Sequence, residues 1–297
     1  LIGPLARDQV DQVLQMRSSQ WPIPTLLLNT PSNPRLTRRL NDQRLSFALR
    51  PEADAQQAAQ YASALNLDRA LVLAQDTSWG QRMASGFADT FRSLGRRIIE
   101  VAWYDPDAVD HSILLELVLG LNDSRQRIAE IENLVGSSVV AEPQRRQDIE
   151  MIFLAARADD ARQIRPQLQF FRADDLPVVS VSYAVDGAVD ARRDVDLDGV
   201  ILPMAPWFVD NTSAGQLRLQ AERRHPSLST NSSLSHLHAM GRDLIQLMRY
   251  LEPMKKDQQL ALRGMTGNLT ISSSGEINRV LLPIRIQNGQ SEINTLR

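Results

Sequence analysis

Short aliphatic runs alternate along the chain with longer stretches whose apolar positions recur every three to four residues, a pattern that predicts parallel strands covered by helices. The runs Thr25 to Leu28, Leu45 to Leu49, Ala70 to Ala74, Ile98 to Trp103, Met151 to Ala155, Val178 to Val181 and Val200 to Leu202 read as strands, each bounded by polar, Gly or Pro positions. Between them Trp79, Met83, Phe87, Phe91 and Leu94 fall on one stripe of a helix that can face a sheet, with Ser78 placed to cap its start. Ala161, Ile164, Leu168 and Phe171 form a second stripe. It is followed by Asp174 to Pro177, where proline turns the chain out of helix and into the next strand. Leu237, Met240, Leu244, Leu247 and Leu251 predict a late helix ending near Pro253, with Lys255 and Lys256 just beyond it, favourably placed for the helix dipole. This helix is expected to pack on the first of two lobes. From Leu269 to Leu282 the pattern changes to alternation about Ser274-Gly275, which predicts a β-hairpin closing the chain with antiparallel strands.

Compact domains usually run to about 100 to 150 residues, so a chain of 297 residues predicts two α/β lobes rather than one. No internal repeat, low-complexity tract or long linker interrupts it, and several short crossings between the lobes are expected. Charged residues at 23% and the hydrophobic set at 43% are ordinary for a packed protein. Lys and Arg together number 33 against 35 Asp and Glu, which leaves no basic field to draw nucleic acid or anionic lipid. No apolar run approaches the roughly 20 residues that a membrane-spanning helix needs, and Leu1-Ile2-Gly3-Pro4 lacks a signal-peptide pattern. The chain therefore reads as soluble. Cysteine is absent, which excludes disulfides, thiolate metal sites and a lipidated cysteine within these residues.

The motifs that might carry chemistry are incomplete. Asp194-Val-Asp-Leu-Asp-Gly199 matches the first half of a calcium loop, but the twelfth position is Ala205 in place of a bidentate glutamate. A solvated turn feeding a buried strand is the better reading. Asp105, Asp107 and Asp110 precede Glu116 without the glycine such a loop requires, and read as helix-capping carboxylates. His225, His236 and His238 are three of four histidines, but the last two lie two apart in a helix and face different ways, so no metal site is predicted. The Ser227 to Ser235 stretch has no neighbouring base and reads as a polar loop leading into a helix. The pairs Asp159-Asp160 and Asp174-Asp175 are not set against a second acid. No catalytic residue and no cofactor site is predicted.

Several strings, in order along the chain, resemble the C-terminal domain of the LpoA family, outer-membrane lipoproteins that activate class A penicillin-binding proteins in Gram-negative bacteria. They are Ile2-Gly-Pro-Leu5, Pro24-Thr-Leu-Leu-Leu-Asn29, Phe47 to Glu52, Trp79-Gly80-Gln81-Arg82, and Arg145-Arg-Gln-Asp148 running on to Phe170. Further on are Asp198-Gly-Val200 with Pro206-Trp207, His238-Ala-Met-Gly-Arg-Asp243, and Gly264-Met-Thr-Gly267 with its hairpin. The resemblance implies a type I periplasmic-binding-protein fold: two doubly wound parallel-sheet lobes joined by three crossings, without known catalytic activity. It divides the chain into a first lobe of residues 1–48 with 208–262 and a second of 49–207 with 263–297, the second carrying the terminal hairpin. Members of this fold begin with a strand, a helix and a second strand ahead of the Gly-Pro-Leu segment. The first lobe is accordingly expected to be truncated, with Leu1 to Leu5 at an uncovered sheet edge. The full-length family also carries an N-terminal helical-repeat domain and a lipid anchor, so membrane attachment would belong to that missing part. The implied place is the periplasm, on the inner face of the outer membrane, and the implied partner is a class A penicillin-binding protein engaged in peptidoglycan synthesis.

Two functions compete on this reading. One is a non-catalytic regulator of the synthase. The other is a solute receptor, because open α/β sheets bind ligands beyond the C-terminal ends of their strands, here in the cleft between lobes. Asn29, Thr30, Thr77, Ser78, Ser182, Tyr183 and Trp207 are the candidate lining residues. They suit a small sugar or peptide, with Arg50 or Arg157 available to hold a carboxylate; Pro206-Trp207 reads better as a core anchor than as a stacking platform. Arg145, Arg146 and Asp148 are expected to fix the loop before Met151 rather than to face a partner.

Overall fold

The computed structural model describes residues 1–17, 22–138 and 140–294. The chain folds as two compact units, residues 1–50 with 205–281 and residues 51–204 with 282–297, and passes from one to the other three times. It opens in the first unit with helix α1 (Arg7–Gln15), strand β1 (Thr25–Leu27) and strand β2 (Arg44–Phe47). In the second unit follow α2 (Pro51–Ala64), β3 (Arg69–Gln75), α3 (Ser78–Ser93), β4 (Arg97–Tyr104), α4 (Ser112–Val118) and α5 (Leu121–Val135). That unit continues with β5 (Met151–Ala155), α6 (Ala158–Phe170), β6 (Val178–Ser180) and β7 (Ile201–Met204). Back in the first unit come α7 (Ser213–Arg224), the short α8 (Ser227–Thr230), the long α9 (Ser232–Lys256), β8 (Leu262–Arg263), β9 (Asn268–Ile271) and β10 (Glu276–Val280). The strands β11 (Leu282–Gln287) and β12 (Gln290–Ile293) return to the second.

The second unit is built on a seven-stranded sheet in the order β12-β11-β7-β6-β5-β3-β4. Strands β3 to β7 run parallel, and β11 and β12 add an antiparallel edge. The central strands are buried throughout, which is why they read in sequence as continuous aliphatic runs. The stripe Trp79, Met83, Phe87 and Phe91 packs on this sheet, with Phe87 stacked on Phe153 at 3.9 Å between ring centroids. The cap of α3 is Thr77, not Ser78: the Thr77 hydroxyl accepts the Gly80 N–H at 3.2 Å, while Ser78 is already the first helical residue. Gly80 lies so close to the end of β3 that a Cβ there would collide with the Gln75 carbonyl, which pins the first turn of α3 against that strand.

The first unit has a five-stranded sheet, β1-β2-β10-β9-β8, in which β1, β2 and β10 are parallel. Leu1 to Gly3 extend the same sheet beside β1, the Gly3 N–H donating to the Leu26 carbonyl at 2.9 Å, and Leu1, Ile2 and Leu5 are exposed. Helix α9 lays Met240, Leu244, Leu247 and Met254 on Leu26, Leu45 and Phe47. It runs through Pro253 to Lys256, so Lys255 and Lys256 occupy its last turn instead of lying beyond it. The β9–β10 hairpin forms about Ser274-Gly275, but it belongs to the first unit, where the expectation had put it in the second. Ile277 is paired with Phe47, and Leu269, Ile271 and Ile277 bury their side chains in the core under α9. What closes the second sheet is the next hairpin, β11 and β12, whose Ile284 and Ile286 face inward.

Candidate functional site

At the C-terminal ends of β3, β5 and β6 the second unit brings three turns together. Trp79, in the first turn of α3, meets Tyr183, in the turn after β6, edge to face at 5.7 Å. The Arg157 guanidinium, at the cap position of α6, lies 4.7 Å from the Trp79 ring centroid and 6.0 Å from that of Tyr183. Trp79 is buried, yet its indole N–H has no hydrogen-bond partner among the described residues. Arg157 is exposed and makes no hydrogen bond or ion pair there either.

Beneath this cluster lies a polar relay. Thr77 Oγ1 donates to Gln75 Oε1 at 3.3 Å, Gln75 Nε2 to the Asp160 carboxylate at 3.4 Å, and the Tyr104 hydroxyl to the same carboxylate at 2.9 Å. Burial raises the Asp160 carboxyl above its ordinary range, and burial beside Asp160 raises the Tyr104 phenol, so that hydroxyl stays a donor. Ser182 hydrogen-bonds the buried Asp54 carboxylate. Of the predicted lining residues, Thr77, Ser78, Ser182 and Tyr183 are thus all in the second unit at these strand ends, with Ser78 exposed and the others half-buried.

The remaining three belong to the first unit. Asn29 spends its side chain within the first unit, donating to Leu5 O at 3.0 Å and accepting from Thr30 N at 2.9 Å and Arg7 Nε at 3.4 Å; Thr30 is half-buried beside it. Trp207 is wholly buried, and its indole N–H donates to Ser235 Oγ at 2.9 Å. Its ring lies near His238, at 5.5 Å, and its backbone N–H donates to Met265 O at 2.9 Å. Trp207 is therefore a core anchor and not a lining residue, because every part that could meet a ligand is already covered.

Asp243 holds that anchor. Its carboxylate accepts from Met265 N at 2.5 Å, Thr266 N at 2.8 Å and Thr266 Oγ1 at 2.6 Å, fixing the Gly264 to Gly267 loop on α9. Burial raises its carboxyl above the ordinary range. The two neighbouring histidines are structural as well: His236 takes the Ser232 carbonyl at 2.8 Å and packs on Phe208, and burial lowers the pKa of both His236 and His238. Among the described residues no His, Asp and Glu side chains gather to hold a metal.

The Arg145 to Asp148 string is a brace. Arg146 grips Asp148 through two hydrogen bonds of 2.7 and 2.8 Å and Glu100 through a third of 2.7 Å, while Arg145 pairs with Asp175. These bonds hold the Asp148 carboxyl below its ordinary range. The Asp194 to Gly199 turn departs from expectation in one respect: Asp194 is fully buried, with Arg162 donating to it at 2.7 and 2.9 Å, so an ion pair staples the start of the turn while Val195 and Asp196 stay exposed. Nothing in the sequence linked Arg162 to Asp194, or Tyr104 to Asp160, because each pair is joined only by folding.

The family model described as LppC putative lipoprotein matches residues 1–289. The chain belongs to that family. This LppC-family chain is 28% identical over 284 residues to the penicillin-binding protein activator LpoA of Vibrio vulnificus, covering 94% of the chain and 45% of the relative. Against the activator of the same name from Vibrio cholerae the identity is 26% over 281 residues, with the same coverage. The chain thus spans less than half the length of these relatives. In three dimensions it is similar to the C-domain of LpoA from Haemophilus influenzae, a regulator of PBP1A, with a TM-score of 0.71 at 19% identity, over 99% of this chain and 81% of that one. An ABC transporter substrate-binding protein from Sphaerobacter thermophilus has a TM-score of 0.59 at 16% identity, over 99% and 78% of the two chains. These structural likenesses establish the type I periplasmic-binding-protein kind of fold for this LppC-family chain.

Proposed function

We propose that this chain is a non-catalytic regulatory module that binds a class A penicillin-binding protein and raises its peptidoglycan-synthesis activity. The observation that carries the reading is the family match over residues 1–289, joined to relatives named as activators over 94% of the chain. A binding module acts on an enzyme by contacting one of its states more favourably than another, so activation needs no reactive group of its own. On this reading the protein works in the periplasm at the inner face of the outer membrane.

The test is binding of the purified domain to a purified class A penicillin-binding protein, followed by synthase assays with and without it. Saturable binding with a raised rate is expected. A folded domain that neither binds nor changes the rate overturns the proposal.

A further inference from the structure

We propose that the second unit carries a binding site for a small monocarboxylate with an apolar body, such as an N-acylated amino acid or a peptide C-terminus. Arg157 would grip the carboxylate and the faces of Trp79 and Tyr183 would receive the apolar body. The inference goes beyond the regulatory reading and does not depend on it.

The argument starts from an unspent cation. The guanidiniums of Arg145, Arg146, Arg162 and Arg218 are all engaged by carboxylates at hydrogen-bonding distance. The Arg157 guanidinium is instead held over two aromatic rings, with its planar fork of donors unused among the described residues. Asp160 is the acid whose charge reaches it, but that carboxylate is committed to the Tyr104 hydroxyl and the Gln75 amide. A stacked guanidinium keeps its edge free, and that edge matches a carboxylate through two parallel hydrogen bonds.

The position supports a ligand as well. The turns after β3, β5 and β6 are where open parallel sheets present their ligand-binding groups, and Ser78 stands exposed in the first of them, whereas the Thr77 and Ser182 hydroxyls already donate to Gln75 and Asp54. The buried indole N–H of Trp79 is a second unspent donor at this place. A carboxylate fits better than a phosphate. The turn after β3 contains the exposed acid Asp76, and the turns at Asp76 to Ser78 and Ala156 to Arg157 lack the glycine-rich backbone that wraps a phosphate group.

The experiment is a titration of the isotopically labelled chain, following the indole N–H resonances of Trp79 and Trp207. The probes are N-acetylglycine, N-acetylleucine and N-acetylphenylalanine, each beside its carboxamide, with inorganic phosphate as a further arm. At least one carboxylate should shift the Trp79 signal saturably at millimolar concentration and leave Trp207 unmoved, with its carboxamide and phosphate at least tenfold weaker. Arg157→Gln should weaken that binding at least tenfold, and Arg157→Lys, which keeps the charge without the fork, should fall between. An unchanged indole signal of Trp103, in β4 of the same unit, shows that the fold of either variant is intact. No response to any carboxylate, an equal response to carboxamide or phosphate, or full affinity in Arg157→Gln overturns the site. No synthase enters this test, so its failure leaves the regulatory proposal standing.

Discussion

Trp79 and Trp207 each follow shortly after the end of a parallel strand, yet their surroundings differ in kind. Around Trp207 the indole is answered by Ser235, the backbone N–H by Met265, and the Met265 loop in turn by Asp243, while His238 Nε2 and Arg242 Nε beside the ring have no partner among the described residues. Around Trp79 the indole N–H and the Arg157 fork have no partner among the described residues. The difference lies in access: Trp207 is wholly buried, whereas the Trp79 ring carries an exposed guanidinium on its face. The first region reads as a clamp and the second as a place prepared for a ligand.

The largest effect should come from breaking the clamp. Asp243→Ala leaves two buried backbone donors and a hydroxyl unanswered and is expected to cost about 3 kcal/mol of unfolding free energy, measured by urea denaturation. The pH dependence has a definite sign. Because the folded pKa of Asp243 is raised, its contribution is fullest below the unfolded value of about 3.9 and is lost as pH rises through the folded value. The stability gap between the native chain and Asp243→Ala should therefore narrow as pH rises from about 4. A widening gap would show that the carboxylate is held in its charged form and that the clamp works differently.

A smaller effect separates the two tryptophans directly. Trp207→Phe removes a satisfied hydrogen bond and strands the Ser235 hydroxyl, whereas Trp79→Phe removes a donor that had no partner. With similar ring volume lost from each, Trp207→Phe should cost more by about 1 kcal/mol in the same denaturation experiment. Equal costs would erase the contrast. The smallest effect belongs to Arg157. An exposed guanidinium over an aromatic face contributes about 0.5 to 1 kcal/mol, so Arg157→Gln should barely move the unfolding midpoint while weakening carboxylate binding at least tenfold. A large loss of stability would make Arg157 a structural residue.

Much of the second unit was legible in the sequence, because its strands are buried on both faces and read as unbroken aliphatic runs. Met151 to Ala155 is a strand over the whole predicted range, and Trp79 to Phe91 lies on one helical stripe. The hairpin about Ser274-Gly275 was legible too, but not its address. Its alternating pattern says that one face is buried without saying against what, and only the pairing of Ile277 with Phe47 assigns it to the first unit. Helices α2 and α5 gave weaker signals. The buried face of α2 is built mostly from alanine, and α5 buries only Leu121 and Ser124. Thr77, Ser78, Ser182 and Tyr183, expected to line a cleft, stand in the turns after β3 and β6. Trp207 was misplaced among them because an apolar residue after a strand can equally face a core.

By itself the sequence determined the alternation of strands and helices, the two-unit organisation, the charge balance and the family. The first three are local or summed properties, set by periodicity, turn residues and composition, while the family rests on strings that resemble it in order along the chain. Only the tertiary structure decided which polar groups would meet. Arg162 reaches Asp194, Asp243 reaches Thr266 and Arg157 reaches Trp79 across long stretches of chain. Whether a charge ends paired, clamped or unspent depends on distances and burial that no spacing along the chain encodes.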